Sequence, residues 1–321
     1  MTTVKTTFPL HGIPIQFSVD DVQAAERLAA QWRPFLAQPL VDAPPIRVTL
    51  SVEASAPGPP DMPQISAGPD VSYFREGPRL AALFPGWGRF DVQLDDDRIH
   101  GRIARAAVAV YGVFEDMILI ALAPLLRRRG YFAVHAFAAA LDGRALLILG
   151  DTGAGKTTTG VSLLARGAQL LANDTPLLRP EPGGEPGLYA YPGLISAYPD
   201  SIARFPELAH LLDEGRRMNG SDKISFAAES VWPEVWAWRA RPAALVFPAI
   251  APGLERSRLQ PMRAFDALQQ LISQSIEDWD AATIPTQLRA LRQLVDAAPA
   301  WRLHLAPDIP HLPDLLLPLV D

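Results

Sequence analysis

The stretch Gly150-Asp151-Thr152-Gly153-Ala154-Gly155-Lys156-Thr157 decides how this chain is read. It fits the pattern of a phosphate-binding loop, with glycines at the ends of a six-residue turn and a lysine and a hydroxyl directly after it. Glycines let the backbone curl until several N–H groups face one anion. A helix starting at Lys156 adds the positive end of its dipole at the same place. Lys156 is expected at the β- and γ-phosphates of a nucleoside triphosphate, and the Thr157 hydroxyl at a Mg²⁺ ion. Gly150 to Thr157, with Thr158 behind them, form the expected ATP-binding set. The plainer alternative is a chance glycine turn beside an exposed lysine.

The flanks favour the first reading. Phe137 to Leu141 and Ala145 to Leu149 are apolar runs of strand type, and Asp142-Gly143 between them is a tight-turn signal. The second run leads straight into the glycine loop. Lys156 to Arg166 reads as a helix stopped at Gly167. Gln169 to Ala172 then reads as a short strand ending at Asn173-Asp174, so the order is strand, glycine loop, helix, strand, acid.

That order gives Asp174 a place at a strand end, where α/β folds bind ligands. It can hold Mg²⁺ or take the proton from an acceptor hydroxyl; a cap or turn aspartate beside Pro176 is the plainer reading. His135 precedes the first central strand and can contact phosphate or position the acid. It can equally be a satisfied, buried histidine. The other histidines show no ligand spacing. Asp222-Lys223 follow Arg216, Arg217 and Gly220. A solvated loop is the favoured reading there, with a phosphate clamp as the alternative. Trp232, Trp236 and Trp238 read as core or interface, and Arg127 to Arg129 as a complement to a helix dipole.

Outside this centre, Thr7 to Phe17 alternates loosely like one strand, and Asp20-Asp21 precede a helix over Val22 to Leu36. Pro45 to Val52 reads as a strand, and Ala54 to Asp70 as a Pro/Gly/Ser-rich loop. Arg89 to Leu94 and Arg98 to Ile103 flank the acidic tip Asp95-Asp96-Asp97 as a hairpin. A long helix from about Ala104 must end or kink near Pro124. The chain turns Pro/Gly-rich from Arg179 to Gly187. Ala243 to Phe247 reads as a buried strand, and Phe265 to Ile276 and Ile284 to Ala297 as amphipathic helices.

Composition narrows the classes. The 321 residues carry a net charge of -6, so no global basic field for nucleic acid exists. There is no cysteine, which removes disulfides, thiolate catalysis and thiolate-bound zinc. Met1 to Asp21 lacks the apolar core of a signal peptide. The apolar stretch Ile103 to Leu126 carries Arg105, Glu115, Asp116 and Pro124, which argues against a membrane span. A cytoplasmic protein with no membrane and no nucleic-acid partner is expected.

Several runs together resemble HPr kinase/phosphorylase-like proteins: Val134-His135-Ala136, Leu141-Asp142-Gly143-Arg144, the glycine loop, and Arg166 to Asp174. The resemblance covers residues 134 to 178. It implies a P-loop kinase core related to phosphoenolpyruvate carboxykinase. His135 then matches the family's active-site histidine, Asp151 its loop aspartate, and Asn173 and Asp174 its acid pair. The first acid, implicated there in proton transfer, is Asn173 here. Either Asp174 takes over as base or the chemistry is impaired. The family's downstream region that serves HPr has no counterpart, so HPr is not the expected acceptor. Divergent relatives resemble kinases that phosphorylate a serine of peptide natural products.

The expectation is an α/β protein: an N-terminal α+β domain over residues 1–130 for substrate or partner recognition, then a P-loop kinase-like domain over 131–321. The expected activity is transfer of a phosphoryl group from ATP, with Mg²⁺, to a hydroxyl of a peptide, protein or small molecule. Asp174, His135 and Lys156 form the catalytic set, with Thr157 and Asp174 toward the metal. The rival is a non-catalytic, nucleotide-gated binding protein. The Leu-Ser-Gly-Gly signature of transport ATPases and the Asn-Lys-x-Asp motif of GTPases are both missing. The resemblance leaves a homo-oligomer open, and nothing in the sequence fixes its symmetry.

Overall fold

In the computed structural model the described residues are 3–181, 183–217, 221–276 and 279–320. Met1, Pro182 of the Pro/Gly-rich stretch and Gly220 of the basic loop lie outside them. The described residues form a mixed α/β structure in two units, one ending at Arg129 and the other beginning at Gly130.

The first unit runs β1 (Val4–Leu10), β2 (Ile13–Val19), α1 (Val22–Trp32), β3 (Ile46–Glu53), β4 (Gln64–Ala67), β5 (Ser72–Glu76), β6 (Arg79–Phe84), β7 (Gly88–Gln93), β8 (Arg98–Ala104), α2 (Arg105–Ala109) and α3 (Val113–Arg128). Among the described residues its strands make one sheet in the order β1-β2-β3-β8-β7-β6-β5-β4. The side-chain alternation that makes these strands also builds the core: Phe8, Phe17 and Trp32 of α1 pack ring against ring.

Four expectations change here. Thr7 to Phe17 is not one strand: His11 and Gly12, at φ 50° and 83°, reverse the chain so that Phe8 pairs with Ile15. The loop from Ala54 to Asp70 contains β4. The long helix is two helices, broken at Gly112, whose φ of 89° suits glycine. Pro124 then sits inside α3 without ending it, because its ring removes one backbone donor while Leu122, Leu125 and Leu126 bury the helix around it. Finally, the arginines closing α3 do more than meet its dipole. Arg128 binds Asp95 at 3.2 Å and Arg129 binds Asp97 at 2.5 Å, so they hold the acidic hairpin tip.

The second unit runs β9 (Phe132–Ala133), β10 (Ala136–Leu141), β11 (Arg144–Leu149), α4 (Lys156–Leu164), β12 (Gln169–Ala172), β13 (Leu177–Arg179), β14 (Gly187–Tyr189), β15 (Ile195–Ala197), α5 (Pro199–Ile202), α6 (Leu211–Glu214), β16 (Arg216–Arg217), β17 (Ile224–Phe226), β18 (Arg239–Ile250), β19 (Arg258–Met262), α7 (Ala264–Ser275), α8 (Ile284–Ala297), β20 (Ala300–Leu305) and α9 (Leu312–Leu316). The main sheet has the order β12-β10-β11-β18-β14-β13-β9, with β20 on β18 and β19 on β20. A small sheet, β15-β17-β16, stands apart.

Period-two alternation in β10 and β11 covers both faces. Ala136, Ala138, Leu147 and Leu149 join Leu271 of α7 and Leu291 and Leu294 of α8 in one apolar cluster. Phe137 points to the other face, against α4. Gly160 makes that approach possible, since a Cβ there would come within 2.3 Å of the Phe137 ring. Trp236 is buried and stacks on Trp238, while Trp232 and Trp238 are half-buried. No helix among the described residues is long and apolar enough to cross a membrane.

Strand direction is what positions the site. β10 is antiparallel to both β11 and β12, and β11 is parallel to β18, which is parallel to β20. The C-terminal ends of β11, β12, β18 and β20 therefore share one sheet edge with the N-terminal end of β10.

Candidate active site

The glycine loop leaves β11 at that edge. Asp142 and Gly143, at φ 49° and 77°, close the hairpin before it and fix the register Ala136 to Leu149. Gly150, Gly153 and Gly155 have φ of 147°, 84° and 102°, a curl that side chains resist. Gly155 has a second reason to be glycine: a Cβ would meet Leu305 of β20 at 2.5 Å. Asp151, Thr152 and Gly153 are exposed at the tip, and Ala154 is half-buried behind them.

Lys156 is 8% exposed and folded over its own loop. Its Nζ donates to the carbonyl oxygens of Gly150 at 2.5 Å and Asp151 at 3.3 Å, and meets His135 Nε2 at 3.1 Å. Three contacts use the three ammonium hydrogens. Burial lowers the Lys156 pKa, opposed by Asp174 and Asp151 and assisted by the charge of Lys223.

His135 arrives from the other side of the hairpin. The backbone on either side of it is pinned, Val134 N–H to Pro176 O at 3.0 Å and Ala136 N–H to Asp174 O at 2.9 Å. Its Nδ1 lies 3.4 Å from Asp174 Oδ2. A charged Lys156 can donate only to an Nε2 without hydrogen, so the Nδ1 hydrogen faces Asp174. Burial raises the Asp174 carboxyl, but the His135 hydrogen bond, with the charges of Lys156 and Lys223, outweighs it and holds the group below the usual value. Its side chain is nevertheless 57% exposed, open at the rim of the site. Beside it, Asn173 Oδ1 is buried with no hydrogen-bond partner among the described residues.

The structure thus brings Lys156, His135 and Asp174 into one line of contacts. Thr157 is half-buried in the first turn of α4, and the Thr158 hydroxyl donates to Ser201 Oγ at 3.0 Å. Ser201 and Gln274 extend the set beyond the sequence reading. Gln274 of α7 donates to the Asp151 carboxylate at 3.2 Å. No sequence spacing links these residues to the loop; tertiary packing alone does. Lys223 is half-buried, with its Nζ 5.3 Å from the centroid of the Tyr198 ring. Arg217 and Asp222 do stay in solvent, as an exposed pair 3.8 Å apart.

No group of three metal-binding side chains occurs among the described residues. An ion here would take one carboxylate, Asp174, one hydroxyl, Thr157, and ligand oxygens. That donor set suits Mg²⁺, which keeps waters and phosphate oxygens rather than a full protein cage.

No protein-family model matches the chain, and no curated protein matches it. Among solved structures, the chain is similar to the HPr(Ser) kinase/phosphatase from Coxiella burnetii at 11% identity and a TM-score of 0.29, covering 58% of this chain and 93% of that one.

Proposed function

We propose that this chain is an ATP-dependent, Mg²⁺-requiring phosphotransferase with an HPr kinase-like P-loop core, moving the γ-phosphoryl group to a hydroxyl. A serine of a peptide or protein is the favoured acceptor, a small-molecule alcohol the next. One observation carries the reading: a glycine loop with three left-handed glycines shares its sheet edge with an aligned Lys156–His135–Asp174 chain.

Each group has a task the chemistry requires. Phosphoryl transfer needs positioning and charge stabilisation more than covalent help. The loop amides and Lys156 hold the β- and γ-phosphates. Thr157 would hold Mg²⁺, with Asp174 as its second donor or as the base, and the ion would neutralise charge on those oxygens. The bond from the acceptor oxygen to the γ-phosphorus forms as the bond from that phosphorus to the β–γ bridging oxygen breaks. ADP leaves, and the acceptor proton passes to Asp174, which His135 orients. An ionised Asp174 carboxylate has the lone pair that this proton needs.

Turnover of Mg·ATP by wild type, Lys156→Ala and Asp174→Asn, with serine peptides and small alcohols added, tests this. Wild type should transfer phosphate. Lys156→Ala should lose ATP affinity by about a hundredfold, and Asp174→Asn should keep binding while losing about 10²- to 10⁴-fold in rate. Asn173, an amide where the resembled family has an acid, favours a second reading as a nucleotide-gated binding protein. Tight ATP binding through Lys156 with no transfer to any acceptor in the panel would select that one.

A further inference from the structure

Resting on that nucleotide reading, we infer that Lys223 is a second phosphate-binding cation of the site, parked on Tyr198 until a triphosphate arrives. Its Nζ lies 5.3 Å from the centroid of the Tyr198 ring. No carboxylate among the described residues forms an ion pair with it. Tyr198 is 45% exposed, so the ring is a shallow and easily vacated seat.

A series of short links ties this seat to the glycine loop. The Thr158 hydroxyl, two residues past Lys156, bonds Ser201 Oγ at 3.0 Å. Ser201 lies in α5, the helix that Tyr198 precedes. Strand β15 leads into Tyr198, and its Ala197 pairs with Ile224, the residue after Lys223. The hydroxyls of Ser196 and Ser225 meet at 2.7 Å across the same two strands. The backbone of Lys223 is therefore held beside the first turn of α4, while its flexible stem and three donors stay free to swing.

The electrostatics agree. Lys223 already acts on Lys156 and on Asp174, the two groups assigned to the β/γ end of the nucleotide. A Mg²⁺-bound triphosphate beside Asp174 remains negative after Lys156 is counted, so a further cation has charge left to meet. Arg217 does not compete for this task, since it faces Asp222 in solvent.

Calorimetric titration of the full chain with ATP, ADP and AMP, each with Mg²⁺, tests the inference on wild type, Lys223→Ala, Lys223→Arg, Tyr198→Leu and Lys156→Ala. Lys223→Ala should weaken ATP binding about tenfold or more, the scale of a lost charge-assisted phosphate contact. ADP should lose less and AMP nothing. The salt dependence of ATP binding should become shallower, and Lys223→Arg should recover most of the affinity. Tyr198→Leu should bind ATP at least as well as wild type. Wild-type affinity in Lys223→Ala, or an equal loss in Tyr198→Leu, would overturn the inference, the latter by showing a structural role. If Lys156→Ala loses ATP while Lys223→Ala does not, only this inference falls. If wild type binds no nucleotide, the proposed function falls with it.

Discussion

Each unit holds a charged network at a helix start, and the two are built to opposite ends. In the first, Arg27 of α1 grips Glu115 through both carboxylate oxygens at 2.6 Å and also donates to the carbonyls of Val108 and Val110. Glu115 Oε2 also accepts the Gly112 N–H at 2.9 Å. Glu115 is 5% exposed, and the Tyr111 and Phe114 rings flank the guanidinium. Every strong donor and acceptor is used, and the result is a staple across the break between α2 and α3. In the second, Lys156 is buried too, yet its network ends on an open Asp174, and the neighbouring Asn173 oxygen has no hydrogen-bond partner among the described residues. A saturated network holds a fold. An unsaturated one at a sheet edge keeps capacity for a ligand.

That contrast can be broken by substitution. Arg27→Ala should cost about 3–5 kcal/mol of stability, because Glu115 would be left charged and buried. Urea unfolding followed in the first unit would show it, and nucleotide affinity should not move. A small loss would mean that Glu115 finds water, and the closed description would fail.

A smaller effect is expected from His135→Ala. Removing the link between Lys156 and Asp174 should lower turnover about 10- to 100-fold, while ATP affinity changes about threefold or less. Steady-state kinetics with a direct binding assay separates the two. An unchanged rate would reduce His135 to packing.

The smallest concerns Asp21, which caps α1 by accepting the Ala24 N–H at 2.9 Å and pairs with Arg105. Asp21→Ala should cost about 1 kcal/mol at neutral pH. Burial raises the Asp21 carboxyl, but the Ala24 and Gln23 backbone bonds and Arg105 overcome it and lower the pKa below 3.8. The folded state therefore binds this proton more weakly than the unfolded chain. Its contribution is complete above pH 3.8 and is lost as pH falls through the lower folded value. Thermal melts of wild type and variant should converge only in that acid range; convergence near neutrality would deny the cap its charge.

Much of the second unit is legible because its local signals are strong. Asp142-Gly143 admits little but a tight turn, the three loop glycines sit where φ is positive, and Gln169 to Ala172 forms a strand as its pattern requires. The first unit is less legible. His11-Gly12 turns the chain inside an alternation that continues on both sides, so period alone does not reveal the reversal. At the break around Gly112 the Val110 carbonyl is met by Arg27, far away in sequence, and Pro124 stays helical because its neighbours are buried.

The sequence by itself determined the glycine curl, the helix after it and the acid at the end of the next strand, since each follows from local backbone chemistry. Only the tertiary structure decided that His135 stands between Lys156 and Asp174, because the antiparallel placement of β10 between β11 and β12 brings three chain ends to one edge. It alone also set Gln274 on Asp151 and Lys223 beside the loop. The physical reason is the same for all of them: side-chain proximity across long stretches of chain comes from strand order and packing, and neither has a local signature.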